Sequence, residues 1–239
     1  MSSPKRLART AGVLYLLVGI FGGFAQGYVE PKMYVAGNAA ATAGNVVANA
    51  GLVRLGVVAD LFDATIFVFL ALALYALLNH VNKSVAKAML VLVAISATIE
   101  CLNSVFEFEG LRVATDGAYA STLGLAGSNA LVMLLLDTQH FGLLIAQIFF
   151  GLWLAPLGYL AFKSGLFPKT LGVVLVVGAA CYIVDLLALF LVPDLGLKIH
   201  SFVVIPSAIA EISMVLYLLV VGVKTPQLPR VSRASAVPA

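Results

Sequence analysis

Long apolar runs alternate with short polar breaks along this chain. A helix needs about 20 mostly apolar residues to cross the hydrocarbon core of a bilayer. Six runs meet that need: Ala11 to Tyr28, Leu52 to Leu78, Ala88 to Phe108, Ala130 to Phe162, Leu171 to Val192 and Phe202 to Val223. The breaks carry Lys, Asn, Gly and Pro, which end helices by adding charge, competing for backbone bonds or removing a donor. The pattern predicts an all-α polytopic membrane bundle of six transmembrane helices. Residues 1–225 read as one membrane domain and 226–239 as a flexible tail lying against anionic lipid. The Ala- and Asn-rich stretch 37–51 reads as a loop ending in an interfacial helix, and Glu109 to Asn129 as a longer loop capping the bundle.

Charge orients this bundle. Six spans put both termini on one side, together with Lys5, Arg6, Arg9, Lys83, Lys87, Lys163, Lys169, Lys224, Arg230 and Arg233, ten of the fourteen basic residues. All eleven acidic residues lie in the spans or on the other side. Because cytoplasmic loops are enriched in Lys and Arg, the expected topology is N-in/C-in, as a multi-pass membrane protein. A removable leader would leave five spans and separate the termini against this bias, so span one is read as retained.

Composition narrows the chemistry. Hydrophobic residues make up 62% and charged residues 10% of 239 positions, with mean hydropathy +1.07, outside the balance of a soluble domain. The net charge of +3 repeats the topology signal and implies no nucleic-acid partner. Walker, Rossmann, nucleophile-elbow and zincin patterns are absent. Cys101 and Cys181 have no Cys or His at metal-ligand spacing and read as small buried hydrophobes. Gly19 and Gly23 form a small-xxx-small pair that lets helices approach closely. No cofactor is implied, and the oligomeric state is left open.

The informative residues are the ionisable ones inside the spans: Arg54, Asp60 and Asp63, then Glu100 and Glu107, Asp137 and His140, Asp185, and Glu211. A charge at a helix centre costs about 2.5–3.5 kcal/mol on insertion scales, so these groups must face one another, water or a bound ion. Helical periodicity puts Glu100, Asn103 and Glu107 on one stripe, Asp137, His140 and Gln147 on a second, and His200, Ser207 and Glu211 on a third, while Tyr182 and Asp185 share a face. Counted from the span ends, nearly all fall in the outer half, with Glu211 near the middle. The expectation is an outward-facing cavity lined by Glu100, Asp137, His140, Asp185 and Glu211 as ligand- or cation-binding residues, above an apolar cytoplasmic plug. Arg54, the only permanent cation in the spans, is expected to be the structural counter-ion, paired with Asp60. Seven carboxyl groups around one guanidinium must in part be protonated, wet or matched by a bound cation.

Several positions also resemble a known family. Arg9, Gly12 and Tyr15 open span one, Arg54 and Asp60 begin span two, and Tyr75 stands near its end. Phe150, Gly151, Gly158 and Tyr159 are followed by Ser164, Gly165, Pro168, Leu171 and Gly172. Together they resemble the bacterial domain of unknown function 4386 family, from Arg9 to about Val223. The resemblance implies a six-span bacterial integral membrane protein, placed in the inner membrane of the cell, and brings no activity or catalytic residue.

Three function classes follow. A small transporter or permeation protein would take a proton, metal ion or small cationic solute into the acidic cavity, although no span reads as clearly broken. A non-catalytic sensor or interaction subunit would need only recognition. An intramembrane metal-dependent enzyme would use His140 with Glu100, Asp185 or Glu211 as ligands or as an acid and base pair. The partners expected are the lipid bilayer and a small cation or proton. The charge bias makes one direct prediction: reporter fusions at Ala239 will be active in the cytoplasm and silent outside, and the reverse pattern would overturn every depth assigned here.

Overall fold

The first span begins at a proline and is loosened near its end by another. In the computed structural model, which describes residues 3–224, Ser3 caps α1 (Pro4–Phe24) by accepting the Arg6 amide on its hydroxyl, and Pro4 fills the first turn, where a missing amide hydrogen does no harm. The helix then widens into a π-helical turn, Ala25–Val29, and resumes as α2 (Glu30–Met33). Pro31 has no hydrogen to give the carbonyl of Gly27. In the turn before it, the Glu30 amide bonds the Ala25 carbonyl five residues back rather than four. Span one therefore runs from Pro4 to Met33, past its expected end at Tyr28.

A short amphipathic helix, α3 (Ala39–Ala48), follows, capped by Asn38. The remaining spans are α4 (Ala50–Leu78), α5 (Lys83–Thr115), α6 (Gly117–Leu152) continued by α7 (Leu154–Ser164), α8 (Lys169–Leu191) and α9 (Pro193–Val220). Six helical stretches are thus long and apolar enough to cross a membrane. Among the described residues there is no strand. The tail expected at 226–239 lies outside the described residues.

Neighbour packing closes these spans into a ring. Contacts run from α1 to α4, α4 to α5, α5 to α6, α6 and α7 to α8, α8 to α9, and α9 back to α1. The closing contact brings the last turns of α9 against the start of α1, and Gly222 lies beside Lys5 and Ala8. Both ends of the described chain therefore share one end of the bundle, here called the terminal end. In lipid, apolar surface gains little by leaving one hydrocarbon for another, so close approach at small residues decides which helices meet. Gly158 and Gly172 face each other between α7 and α8: a Cβ built on either would stand 2.6–2.7 Å from the other's carbonyl oxygen. At Gly12 a Cβ would stand 2.9 Å from the Leu218 side chain and the Leu219 backbone.

Two expectations about irregular segments change. Glu109 to Asn129 is not a loop: α5 continues to Thr115, and α6 starts two residues later, with non-helical backbone inside it at Gly124 (φ 73°). At 33 residues α5 is about 50 Å long, beyond the roughly 30 Å of hydrocarbon. Its last turns are held because Leu111 and Val113 bury in one cluster with Val132 and Leu136 of α6, Val46 of α3 and Met33. Asp116 makes the reversal by accepting the Ala118 amide at the start of α6. Span four, expected to be unbroken, is interrupted at Trp153. Pro156 cannot donate to the Leu152 carbonyl, which leaves a gap in the helical ladder at that point.

The core has two apolar clusters. The larger fills the terminal end with Tyr15, Phe67, Leu74, Met89, Trp153 and Leu157 among its members, as expected of the plug. The smaller is the α3, α5 and α6 cluster at the far end. Nearly all buried polar side chains lie between the two. If glycine contacts set the ring, Gly12→Val, Gly158→Val and Gly172→Val will each lower stability by about 1–3 kcal/mol. Gly19→Ala and Gly23→Ala, where no atom lies within 4 Å of the added carbon, will be neutral in thermal melts of detergent-purified protein. Equal losses at all five positions would contradict this packing.

Candidate functional site

Four carboxyl groups of the polar layer, those of Glu211, Asp185, Asp137 and Glu30, are satisfied by hydrogen-bond donors. Glu211 of α9 accepts from two phenols, Tyr15 at 2.9 Å and Tyr182 at 2.7 Å, so three spans meet on one side chain. Asp185 of α8 is fully buried and accepts from Gln147 Nε2 at 2.9 Å, while His200 Nδ1 lies 2.9 and 3.0 Å from its two oxygens. Asp137 of α6 accepts from the Tyr34 hydroxyl at 2.6 Å. Burial and then the bond to Asp137 push the Tyr34 hydroxyl up from its ordinary range, so it remains a donor. His140 stacks on the Tyr34 ring and sets its Nδ1 2.7 Å from Glu30 Oε1. Both histidines of the layer are therefore held through Nδ1 by a carboxylate, which assigns the proton to that nitrogen and leaves Nε2 free.

The remaining four carboxyl groups are matched with each other. Asp60 and Glu107 lie within hydrogen-bonding reach, as do Asp63 and Glu100, pairing α4 with α5 at two levels. All four are buried. Small residues make room for them: a Cβ on Gly56 would come 3.2 Å from Glu107 Oε1, and one on Gly22 3.1 Å from Asp63 Oδ2.

Arg54 does not neutralise these pairs. Its residue is exposed and it forms no ion pair among the described residues. As the fifth residue of α4 it stands about 6 Å from the helix end, where a long side chain reaches the interface. The counter-ion role expected of it, with Asp60 as partner, therefore has no geometric basis; Asp60 turns to Glu107 instead.

A cavity of about 460 Å³ opens inside the ring. Its charged and polar lining comes from Glu30, Asp63, His140, Gln147, His200 and Glu211, with Gln26 and Tyr182 beside them. Phe67 and Phe150 give it an aromatic wall, stacked at 5.6 Å, with Trp153 edge-on to Phe67 at 5.0 Å. Gly19, Gly22 and Gly23 keep the α1 wall thin. Gly19 and Gly23 thus serve the cavity and not the close helix contact expected of them.

Of the five residues expected to share a cavity, His140 and Glu211 line it. Asp185 lies behind Gln147 and His200, Glu100 behind Asp63, and Asp137 turns to Tyr34. The pairs proposed for an enzyme, His140 with Glu100, Asp185 or Glu211, are not hydrogen-bonded; His140 pairs with Glu30. Among the described residues, no three His, Cys, Asp or Glu side chains converge to hold a metal ion. Cys101 is exposed and not buried, because it points away from the bundle into a shallow apolar groove between α4 and α5.

Glu30 and Tyr34 are the residues that sequence reasoning missed. Their signal was present: Gln26 and Glu30 continue the helical face of Gly19, Gly22 and Gly23 past Tyr28 at i, i+4 spacing. Ending the span at the last apolar residue concealed it.

A family model described as "Domain of unknown function (DUF4386)" matches residues 10–222. No curated protein and no solved structure matches the chain. The geometry reverses one mutational expectation. Arg54→Gln will leave folded protein in the membrane at wild-type level, whereas Asp185→Asn, which disturbs the bond to His200 and so removes about 1.5–3 kcal/mol, will reduce it. Quantitative immunoblotting of membrane fractions with detergent-resistance profiles measures this, and a larger loss for Arg54→Gln would restore its structural role.

Proposed function

We propose that this chain, which belongs to the DUF4386 family, binds a small organic cation in the cavity inside its membrane bundle and conducts it across the bilayer of a bacterial cell. One observation carries the reading. The cavity is lined by Glu30, Asp63 and Glu211 and by no Lys or Arg among the described residues, with Phe67, Phe150 and Tyr182 presenting aromatic surface. Carboxylates attract a cation at low dielectric, and ring faces add about 0.5–2 kcal/mol each. Its volume of about 460 Å³ falls in the range of small-molecule sites. An organic cation suits it better than a bare metal ion, since the acids stand on different walls and do not converge as a ligand set.

Transport needs a bundle that can rearrange, and three spans are irregular beside the cavity. The π-helical turn carries Gln26, the Pro156 break follows Phe150 and Trp153, and Pro206 interrupts the ladder of α9 five residues before Glu211. Such points let a helix bend while its freed carbonyls face a polar interior. A sensor subunit would use the same cavity without flux, and liposome uptake of the bound cation separates the two.

The binding test is thermal stability of the purified protein with methylammonium, tetramethylammonium and guanidinium at several pH values. Saturation at a hundred times Kd adds about 2.7 kcal/mol, which is a rise of roughly 5–10 °C for a chain of this size. Glu211→Gln will weaken the rise, and Gly23→Phe, filling the cavity, will abolish it. If no cation stabilises the wild type at any pH, the cation reading fails and an interaction subunit replaces it.

A further inference from the structure

We propose that the Asp63 and Glu100 pair, backed by Asp60 and Glu107, is a proton-binding site that gives up its proton when a cation occupies the neighbouring cavity, making uptake an exchange of cation for proton. The cation half rests on the cavity reading above, whereas the proton half stands on separate geometry. Asp63 is 3% exposed and Glu100 is 0% exposed. Asp63 Oδ1 and both Glu100 oxygens have no hydrogen-bond donor among the described residues, although the two carboxyl groups are within hydrogen-bonding reach of each other. Carboxylates are acceptors only, so two of them meet in this way only with a proton between them. The same holds for Asp60 and Glu107 one level further out.

Among the described residues, no Lys or Arg side chain replaces those protons. Glu30 faces the pairs from α2 and Glu211 from α9, His140 of α6 and His200 of α9 line the same cavity as Asp63, and Cys101 stands beside Glu100 on its own helix. Of these, His140 is bound to Glu30, His200 to Asp185, and Glu211 to Tyr15 of α1 and Tyr182 of α8. α3 has no ionisable residue, and those of α7, Tyr159 and Lys163, lie on the terminal side of the large apolar cluster.

Asp63 joins the two sites. It lines the cavity beside Gly22 and reaches Glu100 on its other side. A cation held next to Asp63 stabilises the ionised form of the pair, and the shared proton leaves to water. One positive charge enters as one leaves, so the net charge of the layer is unchanged. That neutrality lets a low-dielectric interior admit the cation.

Two measurements on the full-length protein in lipid nanodiscs test this. The first is infrared spectroscopy at neutral pH without added cation. A protonated carboxyl band is expected in the wild type, reduced in Glu100→Gln and reduced again when Glu107→Gln is added. Each amide can still donate to its partner carboxylate, so these variants retain the pairing; Asp63→Asn is the substitute if one fails to fold. Absence of the band, or a band unchanged in all variants, overturns the proton site. The second is calorimetry of tetramethylammonium binding in buffers of different protonation enthalpy. A proton is expected to leave for each cation bound in the wild type, and none in Glu100→Gln. Binding without proton release overturns the exchange and leaves the cavity reading standing. A protonated band without any binding overturns the cavity reading, and the exchange with it.

Discussion

Carboxyl groups buried without a Lys or Arg partner among the described residues govern this structure. Each one left facing hydrocarbon at mid-helix costs about 2.5–3.5 kcal/mol on insertion scales, whereas a polar contact between membrane helices returns on average only about 0.6 kcal/mol. Avoided exposure is thus the larger effect. It turns Asp60, Asp63, Glu100, Glu107, Asp185 and Glu211 toward one interior, and the individual bonds then decide which helix stands beside which. Glu211 ties α1, α8 and α9 together, Asp185 ties α6, α8 and α9, and the carboxyl pairs tie α4 to α5. These links run through most of the contacts that close the ring.

An interior of this kind requires room, and small residues supply it. Where two backbones must touch, as at Gly158 and Gly172, the missing side chain brings helices together; at Gly22 and Gly56 it leaves space for a carboxyl group. At Gly19 and Gly23 it meets nothing and leaves the cavity open. One residue type therefore serves packing, polar accommodation and cavity volume. The apolar clusters at the two ends hold the polar layer between them, so the cavity lies between a well-packed terminal end and a second, smaller core that α3 completes.

The six spans and their order were legible because bilayer thickness imposes a length that composition cannot hide. The polar layer was legible too, since helical periodicity gives each side chain a face. Partners were not. Periodicity says that Glu100 points inward, but not that it meets Asp63 and leaves the cavity lining to it. Arg54 was misread because it is the only permanent cation in the spans and stands close to Asp60 in sequence, whereas near the start of α4 its long side chain reaches the interface instead. The stretch from Glu109 to Asn129 looked like a loop because it carries turn residues and little charge, while the burial of Leu111 and Val113 that extends α5 depends on contacts distant in sequence. The resemblance to the DUF4386 family holds over residues 10–222 and bears on architecture alone, so function must be argued from the cavity.

The central claim is that buried acids of α4 and α5 satisfy one another. A double-mutant cycle on Asp63→Ala and Glu100→Ala, read by unfolding in detergent, tests it most directly. Removing either partner leaves the other buried and unmatched, so the double variant should lose less than the sum of the single losses, by about 0.5–3 kcal/mol. Losses that add to within about 0.3–0.5 kcal/mol would mean that the two carboxyl groups are independent, and would contradict the account.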